Sequence, residues 1–431
     1  MPSMSQLTRS VLPAWPVTLP FAAYVVWWLV GVGDFIWIIA AALMVLTWTG
    51  RKNMRFPVVM WLWLVYLIWV AASLAMNDTT GRVLGAIYRF LLYASAGLFA
   101  LHIFNARTTV TVRRMGNAMV WFLAGMTAAG YLALAFPTLT IRTPMSYLIP
   151  NSLQQNELIA DMVIRHTTHW NPDAWIEQAV RPVAPFLYAN TWGNVYSLLL
   201  PLVLIHLWVM WHTRQRWWII AVILLSVLPA LSTLNRGMFI GLAVVGVWVA
   251  VQTLRRGAFL ITGVWAAVGA LALGGWLASP FGFNLIARVT QTESTQDRRV
   301  LYRDTIAGTM ESPLFGFGSP RPAAESWLPS VGTQGQLWTV MYSHGFIGLA
   351  LFLGFLVCVL ALMWKRQDPV GAVLGGIVAA TLVETLFYGM MTGIFITMVA
   401  VGLGLRADTI VNSSDRPGTL TRTRSTAGRF G

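Results

Sequence analysis

The reactive side chains of this sequence are mostly arginines. Arg236, Arg288, Arg298, Arg299 and Arg303, with Arg89 further upstream, lie within or beside long apolar runs. A guanidinium keeps its proton and offers a planar fork of two aligned, charge-assisted hydrogen bonds, so a group of them suits a phosphate or a lipid diphosphate. Arg288, Arg298, Arg299 and Arg303 can complete such a site with Arg236; the alternative is a solvated basic helix face. Arg89, Arg236 and Glu384 fall in apolar runs or tight turns between them. Charges in hydrocarbon are costly and usually face a cavity or one another, so these three point to a polar pocket near one membrane face. The plainer alternative has both arginines snorkelling to headgroups and Glu384 as a structural partner. His344, at the mouth of an apolar run, either serves as a protonatable group or marks the interface. His166-x-x-His169 has a spacing that can ligate a metal, yet no cysteine or carboxylate cluster accompanies it, and no metal site is expected.

Arg288, Arg298, Arg299 and Arg303 cluster in the polar stretch 278–343. There Ser294-x-x-Asp297 is a capping-box pattern that opens a helix over 295–310, which Pro313 stops. Tyr302, Ile306 and Met310 recur every four residues and predict one packed stripe, with Arg299 and Arg303 on a second face and Arg298 one turn before Tyr302. Pro313-Leu-Phe-Gly-Phe-Gly318 follows, its glycines suited to a tight turn or a close approach to a ligand.

The rest of the chain is apolar. With 57% hydrophobic and 10% charged residues over 431 positions, it reads as an all-α, polytopic membrane helix bundle. Apolar runs at about 17–33, 35–49, 57–76, 84–104, 115–136, 192–212, 217–233, 238–253, 258–277, 344–364, 370–387 and 390–405 predict about twelve transmembrane helices. The net charge of +14 does not indicate nucleic acid, because the basic residues punctuate the apolar runs instead of forming one patch. Arg51, Lys52 and Arg55; Arg107, Arg113 and Arg114; Arg214 and Arg216; Arg255 and Arg256; and Lys365 and Arg366 make every second connection short and basic. That pattern predicts both termini in the cytoplasm, and the first apolar run, which lacks a clear small-residue cleavage site, reads as an uncleaved helix. The expected organisation is one transmembrane domain over 1–405, two long extracytoplasmic loops at 137–190 and 278–343, and a disordered cytoplasmic tail over 406–431. The single cysteine, Cys358, excludes an intramolecular disulfide.

Leu231-Ser-Thr-Leu-Asn-Arg-Gly237, Arg298-x-x-x-Tyr302, Pro313-Leu-Phe-Gly-Phe-Gly318 and Gly345-Phe-Ile-Gly348, in this order, resemble the O-antigen ligase and O-antigen polymerase superfamily. Pro185-Phe-x-x-x-Asn190 fits the same pattern. The resemblance implies an inverting glycosyltransferase, independent of metal and cofactor, in the bacterial cytoplasmic membrane. It implies a polyprenyl-diphosphate-linked glycan as donor, a glycan or glycolipid as acceptor, and surrounding membrane lipids as partners. Arg236 and Arg298 take the diphosphate by motif match, with Arg89, Arg288, Arg299 and Arg303 as further binding candidates. One departure stands out: where the family places a histidine thought to activate the acceptor, eleven residues before the glycine that opens the next span, this chain has Gln334. Glutamine takes no proton at neutral pH, so the base is His344 or a loop carboxylate such as Glu325 or Asp173, or Gln334 only orients the acceptor, or activity is altered or lost. A transporter or lipid-linked glycan flippase is the alternative from another class; its binding groups belong near the midplane.

Overall fold

A computed structural model describes residues 11–51, 53–171, 180–260, 263, 274, 294–323, 328–366 and 368–406. The helices are α1 Trp15–Ala22, α2 Tyr24–Val30, α3 Ile36–Trp48, α4 Val59–Ser73, α5 Thr80–Asn105, α6 Val112–Ala135, α7 Asn151–Gln154, α8 Glu157–Val163, α9 Ala189–Val209, α10 Gln215–Ser232, α11 Arg236–Leu254, α12 Ser294–Glu311, α13 Gln336–Trp364, α14 Pro369–Glu384 and α15 Gly393–Gly404. Among the described residues the only sheet is a two-stranded antiparallel ribbon, β1 Thr140–Arg142 with β2 Ile164–His166.

Seven of the described helices are long and apolar enough to cross a membrane: Val59–Met76, α5, α6, α9, α10, α11 and α13. Trp61, Ile68, Leu224 and Val247 are more than half exposed on their outer faces, as side chains that meet hydrocarbon would be. The expected first span is broken at Ala23 into α1 and α2. The expected ninth span, apart from residues 258–260, 263 and 274, and the tail beyond Arg406 lie outside the described residues. Arg406 itself belongs to the bundle, where its buried guanidinium donates to the carbonyls of Val110 and Ile103.

The core is aromatic and small-residue packed. Trp37 stacks on Phe395 with centroids 4.4 Å apart, and Phe21, Phe99 and Phe122 fill the space around them. Glu384 is fully buried and accepts from Asn194 Nδ2 and Ser197 Oγ; Gly241 makes room, since a Cβ there would overlap the carboxylate. It is a structural link between α9, α11 and α14.

The two ends of the bundle differ. One gathers the short basic connections: Arg51 donates to the Val11 carbonyl at 3.0 Å, Arg366 to the Gly404 and Arg406 carbonyls, and Arg255 to the Trp364 carbonyl. The other gathers the described parts of both long loops. The first loop is docked by Arg165, 1% exposed, whose guanidinium pairs with Asp34 at 2.8 Å, and by Arg181, which donates to the Thr233 carbonyl at 2.7 Å. The second is docked by Arg82, which donates to the carbonyls of Phe317, Ser319 and Pro320 and pairs with Asp78. Hydrogen bonding to Arg82 holds the Asp78 carboxyl below its usual range.

Candidate functional site

A cavity of about 570 Å³ opens at the loop-bearing end, between α5, the start of α9, residues 329–339 and residues 387–394. Gly85, Arg89 and Tyr93 follow one another at four-residue spacing on α5 and therefore line one stripe of its wall. Tyr88 and Tyr188 add aromatic surface; Asn190, Thr191, Thr333, Gln334 and Gln336 add neutral hydrogen-bonding groups. Arg89, partly exposed, makes no hydrogen bond or ion pair with the described residues. It is also the only formal charge among the described lining residues. A cation without a partner in so apolar a setting raises the local positive potential and favours an anion there.

Another part of the wall is built by the first turn of α13, seated on the residues just after α14. Gly335 has φ 152°, and a Cβ there would come within 2.7 Å of the Leu386 carbonyl oxygen, so only glycine lets the two backbones approach this closely. The Gln336 N–H donates to the Tyr388 carbonyl at 2.7 Å and the Leu337 N–H to the Thr385 carbonyl at 2.9 Å. These bonds satisfy amides that a helix start leaves free. The side chain of Gln336 is buried: Oε1 accepts from the Met390 N–H at 3.1 Å and Nε2 donates to the Tyr93 hydroxyl at 2.6 Å.

Of the residues singled out by sequence, the cavity brings together Arg89, Gln334 and the motif residue Asn190. Arg236 opens α11, partly exposed and unpaired among the described residues; it does not line the cavity, though its neighbour Gly237 packs on Phe387, which does. Arg299 and Arg303 are exposed on α12 and do not line the cavity. The backbone of Arg298 lies in α12 one turn before Tyr302, whose ring stacks on Trp338 at 4.2 Å; the Arg298 side chain and the whole of Arg288, Glu325 and Asp173 lie outside the described residues. His344 is not at an open mouth. It is 3% exposed, with Nδ1 2.6 Å from Ser73 Oγ and its ring packed near Tyr66 and Tyr93. His166 and His169 have separate partners, the Thr140 hydroxyl and the Leu187 carbonyl.

The packed face of α12 also differs from the expected stripe. Ile306 and Met310 are exposed, and Leu301, Thr305 and Thr309 are buried instead. Each threonine donates to the carbonyl four residues earlier, which makes its burial inexpensive, and the Thr305 hydroxyl also accepts from the Gly332 N–H. Pro313-Leu-Phe-Gly-Phe-Gly318 contacts protein, not the cavity. The N–H groups of Phe317 and Gly318 donate to the carbonyls of Tyr342 and Ser343, and the Trp69 indole donates to those of His344 and Leu314. The carbonyls of Tyr342, Ser343 and His344 are free because α13 is interrupted at Gly345, with φ 69° and ψ −173°.

Tyr93 and Gln336 were not anticipated. The four-residue spacing from Arg89 to Tyr93 was a usable signal, whereas Gln336 lies in a polar stretch that resembles a loop. No protein-family model matches the chain, and no curated protein matches it.

Proposed function

We propose that the chain is a membrane glycosyltransferase that moves a glycan from a polyprenyl diphosphate to a sugar hydroxyl at the outer face of a bacterial cytoplasmic membrane, in the manner of O-antigen ligases and polymerases. The observation that carries this reading is the unpaired guanidinium of Arg89 in a cavity that is lined by residues of both long loops, Gln334 among them. Nine residues of α5 precede Arg89, roughly 14 Å at 1.5 Å per residue, so an anion could reach it from the loop-bearing face without crossing the bundle.

In this reading the acceptor oxygen attacks the anomeric carbon opposite the diphosphate, the bond to the diphosphate breaks with its electron pair, and configuration inverts. The arginines stabilise the leaving charge: Arg89 from the cavity wall, with Arg236 and Arg298 by motif match. Gln334 orients the acceptor hydroxyl. Its proton goes to a carboxylate of the long loops, for which Glu325 and Asp173 are the candidates, since the described lining residues include no Asp, Glu or His.

The test is a deletion strain compared for surface glycans and lipid-linked intermediates, complemented with Arg89→Lys, Arg236→Lys and Arg298→Lys. Each variant is expected to lose most transfer at matched membrane level, because a point charge cannot replace two-pronged binding. Unchanged glycans in the deletion strain would sink the reading. Its orientation is checked in a Cys358→Ala background: a cysteine at Tyr147, 74% exposed, should react with an impermeant thiol reagent in intact cells, and one at Thr213 should not.

A further inference from the structure

We infer that the Tyr93 hydroxyl is a second diphosphate-binding group beside Arg89, and that Gln336 is the positioning residue that turns its proton toward the ligand. This rests on the reading of the cavity as a diphosphate site.

The argument begins with the amide of Gln336. The Met390 N–H can only donate, so the atom of Gln336 that meets it must be Oε1. Nε2 is thereby directed at the Tyr93 oxygen, 2.6 Å away. An N–H can only donate as well, so the Tyr93 oxygen is the acceptor and its own proton must point elsewhere. Turning the amide over would set its NH2 group against the Met390 N–H, donor facing donor in a site where Gln336 is 6% exposed, so the orientation is fixed. Tyr93 lies one helical turn from Arg89 on the same face of α5, and both line the cavity. A donor hydroxyl and a guanidinium at this spacing match two oxygens of one extended anion, which a diphosphate offers and a single carboxylate does not. A phenol polarised by an incoming N–H bond is also a stronger donor, because hydrogen bonds in series reinforce one another.

The neighbouring buried hydroxyl is that of Tyr66, whose ring lies 5.5 Å from that of Tyr93. It competes for the same proton when the cavity is empty. An anion should win, since hydrogen bonds to charged groups are stronger than neutral ones.

The experiment uses full-length protein in nanodiscs, titrated separately with polyprenyl diphosphate and with inorganic pyrophosphate. Wild type is expected to bind the lipid form more tightly, with pyrophosphate as a weaker competitor; equal affinity would assign the site to the soluble ion. Arg89→Ala reports on the cavity itself. Tyr93→Phe removes one oxygen and is expected to weaken binding about 10-fold or more, the loss of one charge-assisted hydrogen bond of about 1.5–3 kcal/mol. Gln336→Met is expected to weaken it less, and adding it to Tyr93→Phe should cost nothing further, because it acts through Tyr93. Gln336→Glu keeps acceptance from the Met390 N–H but takes the Tyr93 proton for its carboxylate, and binding should fall even if Tyr93→Phe proves unstable. Tyr66→Phe should leave affinity unchanged or improve it.

If wild type binds neither probe, the diphosphate reading and this inference fall together. If wild type binds and Arg89→Ala weakens it, while Tyr93→Phe stays within about twofold of wild type, the inference alone is overturned. A loss in Tyr66→Phe as large as in Tyr93→Phe would overturn it too, by showing that the tyrosine pair acts through packing. Additive losses in the Tyr93→Phe, Gln336→Met double variant would reassign Gln336 to a structural role.

Discussion

Gly345 lies so close to Leu314 that a Cβ on it would overlap the Leu314 carbonyl oxygen, and the next residue, Phe346, donates its N–H to the Pro313 carbonyl at 2.8 Å. With φ 69° and ψ −173°, Gly345 occupies a region that is essentially closed to other residues. Gly345→Ala therefore combines a backbone cost of about 1–3 kcal/mol with displacement of the 313–318 segment. Thermal melts in detergent should show a clear drop. Gly354→Ala is the control: its Cβ meets only Leu62 at 3.6 Å, and a helical glycine replaced by alanine should be neutral or slightly stabilising.

The Arg165–Asp34 pair is sealed, with 1% and 11% of the two side chains exposed. Removing one partner leaves a buried charge, so Arg165→Met should cost about 3–5 kcal/mol, and Arg165→Met with Asp34→Asn should recover part of it. Limited proteolysis of the 137–171 region would report the release of the first loop. Equal resistance in wild type and Arg165→Met would contradict this account.

The Asp78 carboxylate is held below its usual range first by the hydrogen bond from Arg82. For a carboxyl whose folded pKa is lowered, the associated stability is present above the unfolded value of about 3.9 and disappears as pH falls through the folded value. Asp78→Asn should thus melt earlier than wild type at neutral pH, and the two curves should converge in acid. A gap that persists at the most acidic pH the fold withstands would show that the charge of Asp78 is not what matters.

Within the proposed transfer reaction, Gln334→Ala should reduce activity without moving the pH–rate profile, since it removes no titrating group. His344→Ala should also leave the acidic limb in place, because the imidazole is enclosed by Ser73, Tyr66 and Tyr93 and does not line the cavity. Loss of that limb in an active His344→Ala variant would restore the histidine as base.

Apolar runs were legible wherever a helix was continuous, which is why α4–α6 and α9–α11 sit within a few residues of expectation. The start of α13 was not legible. Residues 333–343 are rich in Thr, Gln, Ser and Gly and read as loop, yet from Gln336 onward the carbonyls of Thr385 and Tyr388 hold them as helix. Arg89 stood out because an ionised residue inside an apolar run is conspicuous. Tyr93 did not, because a tyrosine there is ordinary, and its significance comes from Gln336, which lies 243 positions away in the chain. The buried face of α12 was misjudged for a related reason: threonine counts as polar in a hydropathy pattern, but its hydroxyl can be satisfied within its own helix.

The interruption at Gly345 also divides α13 into two parts with different attachments. Phe346–Trp364 alone rises roughly 28 Å, close to the thickness of a hydrocarbon core, so it can cross without help from the residues before it. The preceding turns, from Gln336 to His344, are then relieved of spanning and are anchored sideways, to Phe317, Gly318 and Trp69. A shift of the second long loop would carry that short segment with it and reshape the cavity wall while the crossing helix stayed still.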